Sequence, residues 1–355
     1  MKLLRLALFA AALLAACAPG EPTLTPPGLG AGPRTLAVMT HDSFAVSEEV
    51  VKEFEAANNA EVQFLKSGDA GEALNKAILA KGNPLADVFY GVDNTFLSRA
   101  LDEGIFEPYD SPQLAGIPDP FELDPNHGAL PVDYGDVCLN YDKAYFAERG
   151  IPPPAALEDL TRPEYKDLLV VENPATSSPG LAFLLATIGQ FGPEGYLQYW
   201  RDLRANGVQV VNDWETAYYT EFSGSSGKGP RPIVVSYSSS PPFEVIFAEN
   251  PLPDAPTAAV VSAGSCFRQI EFVGILKGGK NRDLAEKWVD FMLSPRFQED
   301  MPLQMFVFPV NPNAKLDETF QRYLAHPEAP AFVSPADIAA NREKWIEAWT
   351  EVVLR

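Results

Sequence analysis

Trp214 and Tyr218 stand four residues apart, a spacing that puts both rings on one helical face. Tyr237 closes the apolar run Ile233–Tyr237 and leads directly into Ser238, Ser239, Ser240 and Pro241, while Phe243 and Phe306 follow loops. Aromatic faces beside small hydroxyls and carboxylates hold a flat or cationic ligand by stacking and by attraction to the ring quadrupole. A second hydroxyl-rich turn, from Asn173 to Gly180, carries Ser177 and precedes an apolar helical stretch. Its amides and hydroxyls form a helix N-terminus that receives oxygen-rich groups. This is binding chemistry. The chain contains no Gly-x-Ser-x-Gly, no phosphate-loop and no Gly-x-Gly-x-x-Gly sequence, and His41, His127 and His326 lie in no His-Glu-x-x-His frame. The expectation is a protein that is not an enzyme, with no cofactor and no resident metal.

The elements that must position these residues alternate. Thr35 to Thr40 is β-prone, and Ser43 to Ala57 has Val50, Val51, Phe54 and Ala57 at helical spacing. Glu61 to Lys66 alternates, with Val62, Phe64 and Leu65 as inward candidates; Gly71 to Lys81 is helical, and Ala86 to Gly91 is a buried strand. Strands alternating with helices of this length predict an α/β fold with a largely parallel sheet. Leu130 to Tyr141 is a long β-prone stretch containing Asp133 and Gly135. The two hydroxyl-rich turns both follow strands, at the strand ends where open α/β sheets bind ligands. Gln269 to Lys277 is a further strand, Asp283 to Leu293 an amphipathic helix, and Ser334-Pro335-Ala336-Asp337 a capped helix start. Trp345 and Trp349, four apart, are expected to pack together.

The N-terminus has Lys2 and Arg5 before a short apolar run, Leu6 to Leu14, and residues 1–16 therefore read as a secretory signal. That run is shorter than the roughly 20 residues a spanning helix needs. Leu14-Ala15-Ala16-Cys17 resembles a bacterial lipobox, so Cys17 is the expected lipidated N-terminus and residues 17–33, with five prolines, a solvated tether. Loss of the signal moves the charge from −21 to −23, because it removes two cations and no anion. Such acidity excludes nucleic acid and anionic lipid as partners. Cys138 and Cys266 remain, and an oxidising compartment permits them to pair or to stay as two thiols.

Several short motifs, in order along the chain, resemble the thiamine-binding proteins of bacterial ABC importers, in the type II periplasmic binding protein class. They include Thr40-His41-Asp42-Ser43-Phe44, Gly91-Val92-Asp93-Asn94, Val132-Asp133-Tyr134-Gly135, Thr176-Ser177-Ser178-Pro179-Gly180, Trp214-Glu215-Thr216-Ala217-Tyr218, Ser236-Tyr237-Ser238-Ser239-Ser240-Pro241 and Phe308-Pro309-Val310. The resemblance implies two lobes, each a mixed, mostly parallel sheet flanked by helices, joined by crossing strands near Asp133 to Val137 and Ser265 to Ile270. It divides the chain into lobe 1 (34–133 plus 270–310), lobe 2 (134–269) and a C-terminal helical segment (311–355) bracing both. Cys138 and Cys266 would then lie beside the crossings, where a hinge disulfide is sensible. Thiamine, or its phosphates, would be closed between the lobes and delivered to a membrane permease by a monomeric, membrane-anchored, extracytoplasmic protein.

Carried over by position, the implied ligand-binding residues are His41, Asp69, Ser177, Trp214, Tyr218, Tyr237, Ser238, Phe243 and Phe306. Trp214 and Tyr237 would contact the rings, Ser177 the hydroxyethyl or phosphate end, and Asp69 would balance charge. Three positions depart from the family pattern: His41 and Phe243 stand where it has tyrosine, and Phe306 where it has tryptophan. A neighbouring family binds ferric ion through paired tyrosines, so Tyr218 and Tyr219 with His41 form the alternative expectation. The motif set favours thiamine. Replacing the anchor, Cys17→Ser, is expected to move the protein from the membrane to the soluble fraction with ligand affinity unchanged, as fractionation and titration of both forms would measure.

Overall fold

Short apolar strands alternate with amphipathic helices from Arg34 onward, and the chain from there forms one contact-defined unit. The computed structural model describes residues 32–224, 229–327 and 329–355. The signal, Cys17 and nearly all of the tether lie outside the described residues.

In chain order the first elements are β1 (Arg34–Thr40), α1 (Glu48–Asn58), β2 (Ala60–Lys66), α2 (Ala70–Leu79), β3 (Val88–Asp93), α3 (Leu97–Asp102) and β4 (Phe106–Glu107). The middle of the chain gives β5 (Leu130–Asp142), α4 (Lys143–Arg149), β6 (Leu169–Glu172), α5 (Ser178–Ala205), β7 (Gln209–Val211), β8 (Ile233–Tyr237), α6 (Ser240–Ile246) and β9 (Thr257–Val260). The last part gives β10 (Phe267–Leu276), α7 (Arg282–Met292), α8 (Pro295–Gln298), α9 (Met301–Met305), β11 (Phe308–Pro309), α10 (Glu318–Tyr323) and α11 (Pro335–Val353).

The main strand order is β2-β1-β3-β10-β5-β8-β6-β7. Pairing is parallel at both ends, where helices make the crossovers, and antiparallel at the three central pairs. Two parallel-sheet halves are therefore joined by long central strands. β5 pairs with β10 from Leu130 to Val137 and with β8 from Val137 to Tyr141, so it passes from one half into the other. Cys138 and Cys266 form a disulfide between β5 and the residue preceding β10.

Each half has its own aromatic core. Trp288 of α7 packs edge-on against Phe54 of α1, with ring centroids 4.9 Å apart, and Phe183 and Trp200 of α5 pack in the other half at 5.7 Å. Trp349 corrects a sequence expectation: it packs against Trp200 at 5.5 Å, while Trp345 stays half-buried. The reason is that α11 lies on α5 and on α3, where Arg342 donates to the Thr95 carbonyl and the Ser98 hydroxyl. One inward candidate faces out: Leu65 is exposed, because β2 is an edge strand with one covered face.

The disulfide closes a loop with a sequence separation of 128 residues. Its removal in the double variant Cys138→Ala, Cys266→Ala is expected to cost about 2–5 kcal/mol of unfolding free energy, read from urea melts of both proteins.

Candidate functional site

Where the halves meet, a cleft with a cavity volume of about 200 Å³ is lined by His41, Asp69, Ser178, Trp214, Tyr237, Glu271 and Phe306, with Lys66, Glu215 and Tyr219 at its exposed rim. A cavity of about 150 Å³ admits benzene, so this one takes a substituted aromatic ring. Further lining comes from the segment after β1 and from α9 to Val307.

Trp214 forms the aromatic wall. Its indole N–H donates to the Ser236 hydroxyl at 3.0 Å, and its ring stacks on Tyr218 at 5.1 Å with an interplanar angle of 15°. Phe306 meets the indole edge-on at 5.6 Å. Phe306 itself is in the left-handed region, with φ 60°, at the end of α9, and its carbonyl accepts the Ser239 hydroxyl. Tyr237 donates to Gln269 Oε1 at 2.9 Å, and Gln269 Nε2 donates to the Ser178 hydroxyl at 2.8 Å. This relay pins a ring of β8 and the first turn of α5 to the crossing strand β10. Gly135 on β5 leaves room for the Tyr237 ring, since a Cβ there would meet Tyr237 Cδ1 at 2.7 Å.

Asp69 is the N-cap of α2. It accepts the Ala70 amide at 2.6 Å and, from the other half, the Trp214 amide at 3.2 Å. The Gly71 amide likewise donates to the Thr176 carbonyl at 2.9 Å. One buried carboxylate thus caps a helix and joins the two walls. Burial raises its proton affinity, against the opposing pull of the Ser177 hydroxyl and of His41.

Glu271, which lines the cavity, belongs to a row of three acids in register on adjacent strands. Glu271 of β10 lies opposite Asp93 of β3 on one side and Asp133 of β5 on the other. The Tyr90 hydroxyl lies 2.7 Å from Asp133 Oδ2 and 3.2 Å from Glu271 Oε2, its one proton shared between the two acids. Burial, then the Glu271 charge, pushes the Asp133 carboxyl well above its ordinary range. Burial also raises Asp93 to about 7 although Thr95 donates to it at 2.7 Å. Glu271 is held below its ordinary value: burial opposes ionisation, and His41, with its Nε2 3.3 Å away, outweighs burial.

Of the residues carried over from sequence, His41, Asp69, Trp214, Tyr237 and Phe306 line the cleft together. The other four stand behind the wall. Tyr218 is fully buried beneath Trp214 and donates to Glu244 Oε1 at 2.7 Å; Phe243 packs on the Phe306 ring at a centroid distance of 3.3 Å. Ser238 is buried with its amide on the Asp136 carbonyl. Ser177 is buried at the start of α5 near Asp69, without a hydroxyl hydrogen bond of ordinary geometry. Glu271, the central acid of the row, was missed by sequence reasoning. Its signal was a lone carboxylate inside the apolar run Gln269–Leu276.

Two α/β halves with a polar, aromatic-walled cleft at crossing strands define a type II periplasmic binding protein, and this frame is shared with solved members of that class. The chain belongs to the bacterial extracellular solute-binding protein family, whose pattern matches residues 83–326. It is an extracytoplasmic binding protein and not an enzyme. It is 31% identical over 325 residues to the thiamine-binding periplasmic protein of Escherichia coli (strain K12), covering 90% of this chain and 94% of that one. It is similar to a solved periplasmic thiamin binding protein with a TM-score of 0.78 and 29% identity, over 92% of this chain and 100% of that one. A ferric binding protein from Campylobacter jejuni shares the fold at a TM-score of 0.72 and 20% identity, over 89% of this chain and 99% of that one.

Because Tyr237 fits only against a glycine, Gly135→Ala is expected to push its ring into the cleft and cost about 1–3 kcal/mol of stability. Urea melts would measure that loss, and a crystal structure of the variant would show the displaced ring.

Proposed function

We propose that the cleft captures thiamine and that the protein hands it to the permease of an ABC importer. The observation that carries this reading is the Trp214 ring facing the same small cavity as two buried carboxylates, Asp69 and Glu271. An electron-rich face with anions beside it suits a flat organic cation. Thiamine has such a thiazolium ring, and the relatives with about 30% identity carry its name. Unphosphorylated thiamine is favoured over its anionic esters because two buried carboxylates, Asp69 and Glu271, line the cavity.

Capture works by closure. A ligand touching Trp214 in one half and Asp69 and His41 in the other raises the closed population by its differential affinity. In this reading lobe 1 comprises residues 34–133 and 270–310, lobe 2 comprises 134–269, and residues 311–355 brace them. The protein acts as a monomer tethered by lipid on Cys17, which raises its concentration near the permease without fixing its orientation.

The ferric reading has less support. Its tyrosine pair is split, with the Tyr218 hydroxyl engaged by Glu244 and only Tyr219 at the cleft rim. Burial, then the Glu244 charge, pushes the Tyr219 phenol up to about 12, against phenolate formation.

Calorimetric titration of ligand-stripped protein with thiamine is expected to give saturable binding, and Trp214→Ala to weaken it by about 1–3 kcal/mol. A flat titration at micromolar protein would reject thiamine, and a visible band after ferric loading that vanishes in Tyr218→Phe would establish iron instead.

A further inference from the structure

His41 is a basic side chain buried in the wall of an otherwise cation-seeking cleft. The other basic lining residue, Lys66 of β2, stays at the exposed rim with its ammonium on the Asp42 carbonyl at 2.7 Å. His41 faces acids from every side. Glu271 of β10 approaches its Nε2 at 3.3 Å, Asp69 of α2 and Asp42 of its own loop add their charges, and the Tyr90 ring of β3 lies 5.7 Å away. Asp133 of β5 and Asp93 of β3 stand on either side of Glu271 in the strand ladder, and Glu215 is at the rim.

Two geometric facts limit what His41 can do when a cation enters. First, its ring cannot retreat into the β3 side. Gly91, with φ +107°, lets the ring lie directly on the backbone, and a Cβ there would meet His41 Cδ2 at 2.4 Å. Second, the His41–Glu271 contact is an ion pair without an aligned hydrogen bond. A ligand can therefore replace its charge without disrupting a directional network. Glu271 itself lines the cavity, so the imidazolium and a bound cation compete for one carboxylate in one small volume.

We propose that His41 and the ligand exchange at Glu271: a fixed organic cation takes over the counter-ion role, and His41 releases its proton to solvent as the ligand enters. The inference rests on the reading of the ligand as a cation and adds that capture is linked to pH through this residue. No covalent bond changes; the imidazolium becomes imidazole and one proton leaves. Burial disfavours the charged imidazole, but Glu271, Asp69 and Asp42 together outweigh burial and raise its proton affinity in the free protein. The sign follows. Below the titration of free His41 the proton must be displaced, so affinity rises with pH; above it the site is already neutral and affinity levels off.

The test is thiamine calorimetry on the whole mature protein between about pH 6 and pH 8, in two buffers of different ionisation enthalpy. The dissociation constant is expected to fall by up to about tenfold per pH unit at the acid end, with about one proton released per ligand. His41→Gln is expected to lose both the slope and the proton release. Proton release that persists in His41→Gln would assign it to the buried carboxyls of raised proton affinity, Asp69, Asp93 or Asp133, and overturn the proposal. Should His41→Gln fail to fold, proton NMR of the double variant His127→Gln, His326→Gln leaves one histidine to follow; its signal must move toward the neutral form on adding thiamine at about pH 6, and an unmoved signal overturns the proposal. Thiamine binding with equal affinity across the pH range sinks the exchange alone. No binding at any pH sinks the ligand reading and the exchange with it.

Discussion

Three carboxylates in one row across the centre of the sheet constrain everything around them. Asp93, Glu271 and Asp133 are neighbours on three adjacent strands, all buried. Like charges opposite one another destabilise a sheet, and burying them in the ionised form costs several kcal/mol each by order of magnitude. The fold resolves this by dividing the charge. Burial and the Glu271 charge raise the proton affinity of Asp133, Tyr90 bridges it to Glu271, and Thr95 holds Asp93. Glu271 is the acid of the row held below its ordinary value, and His41 is its partner. A frame built for stability alone would place apolar residues here, and it is Glu271, the middle acid, that the cleft exposes to a ligand.

The row lies where the two halves meet. β10 pairs with β3 of one half and with β5, which runs on to β8 of the other. Both crossing strands pass through the acid row, and the disulfide ties them just beyond it. The apolar cores, around Trp288 on one side and Trp200 on the other, are buried and packed; the boundary between them is polar. Asp69 serves that boundary twice, as helix cap and as acceptor for the Trp214 amide. A change in its charge state therefore reaches the start of α2 and the aromatic wall together.

Much of this was legible in the sequence. The alternation of apolar runs and helical periods gave β1, α2, β5, β8 and α7 nearly to the residue, because hydrophobic period is a local property. The aromatic and hydroxyl loops were visible for the same reason. Leu65 was misjudged because its face depends on which neighbour covers an edge strand. Trp345 and Trp349 were misjudged because four-residue spacing says which residues share a face, not which partner helix that face meets.

By itself, then, the sequence determined the α/β alternation, the binding loops at strand ends, the acidity that excludes polyanions and the family likeness in ordered motifs. Tertiary structure alone decided that Tyr218, Ser238 and Phe243 stand behind the wall, and that Glu271 lies between Asp93 and Asp133. The physical reason is register. Residues separated by more than a hundred positions become neighbours only when strands pair, and a one-residue slip would turn Glu271 to the other face of the sheet.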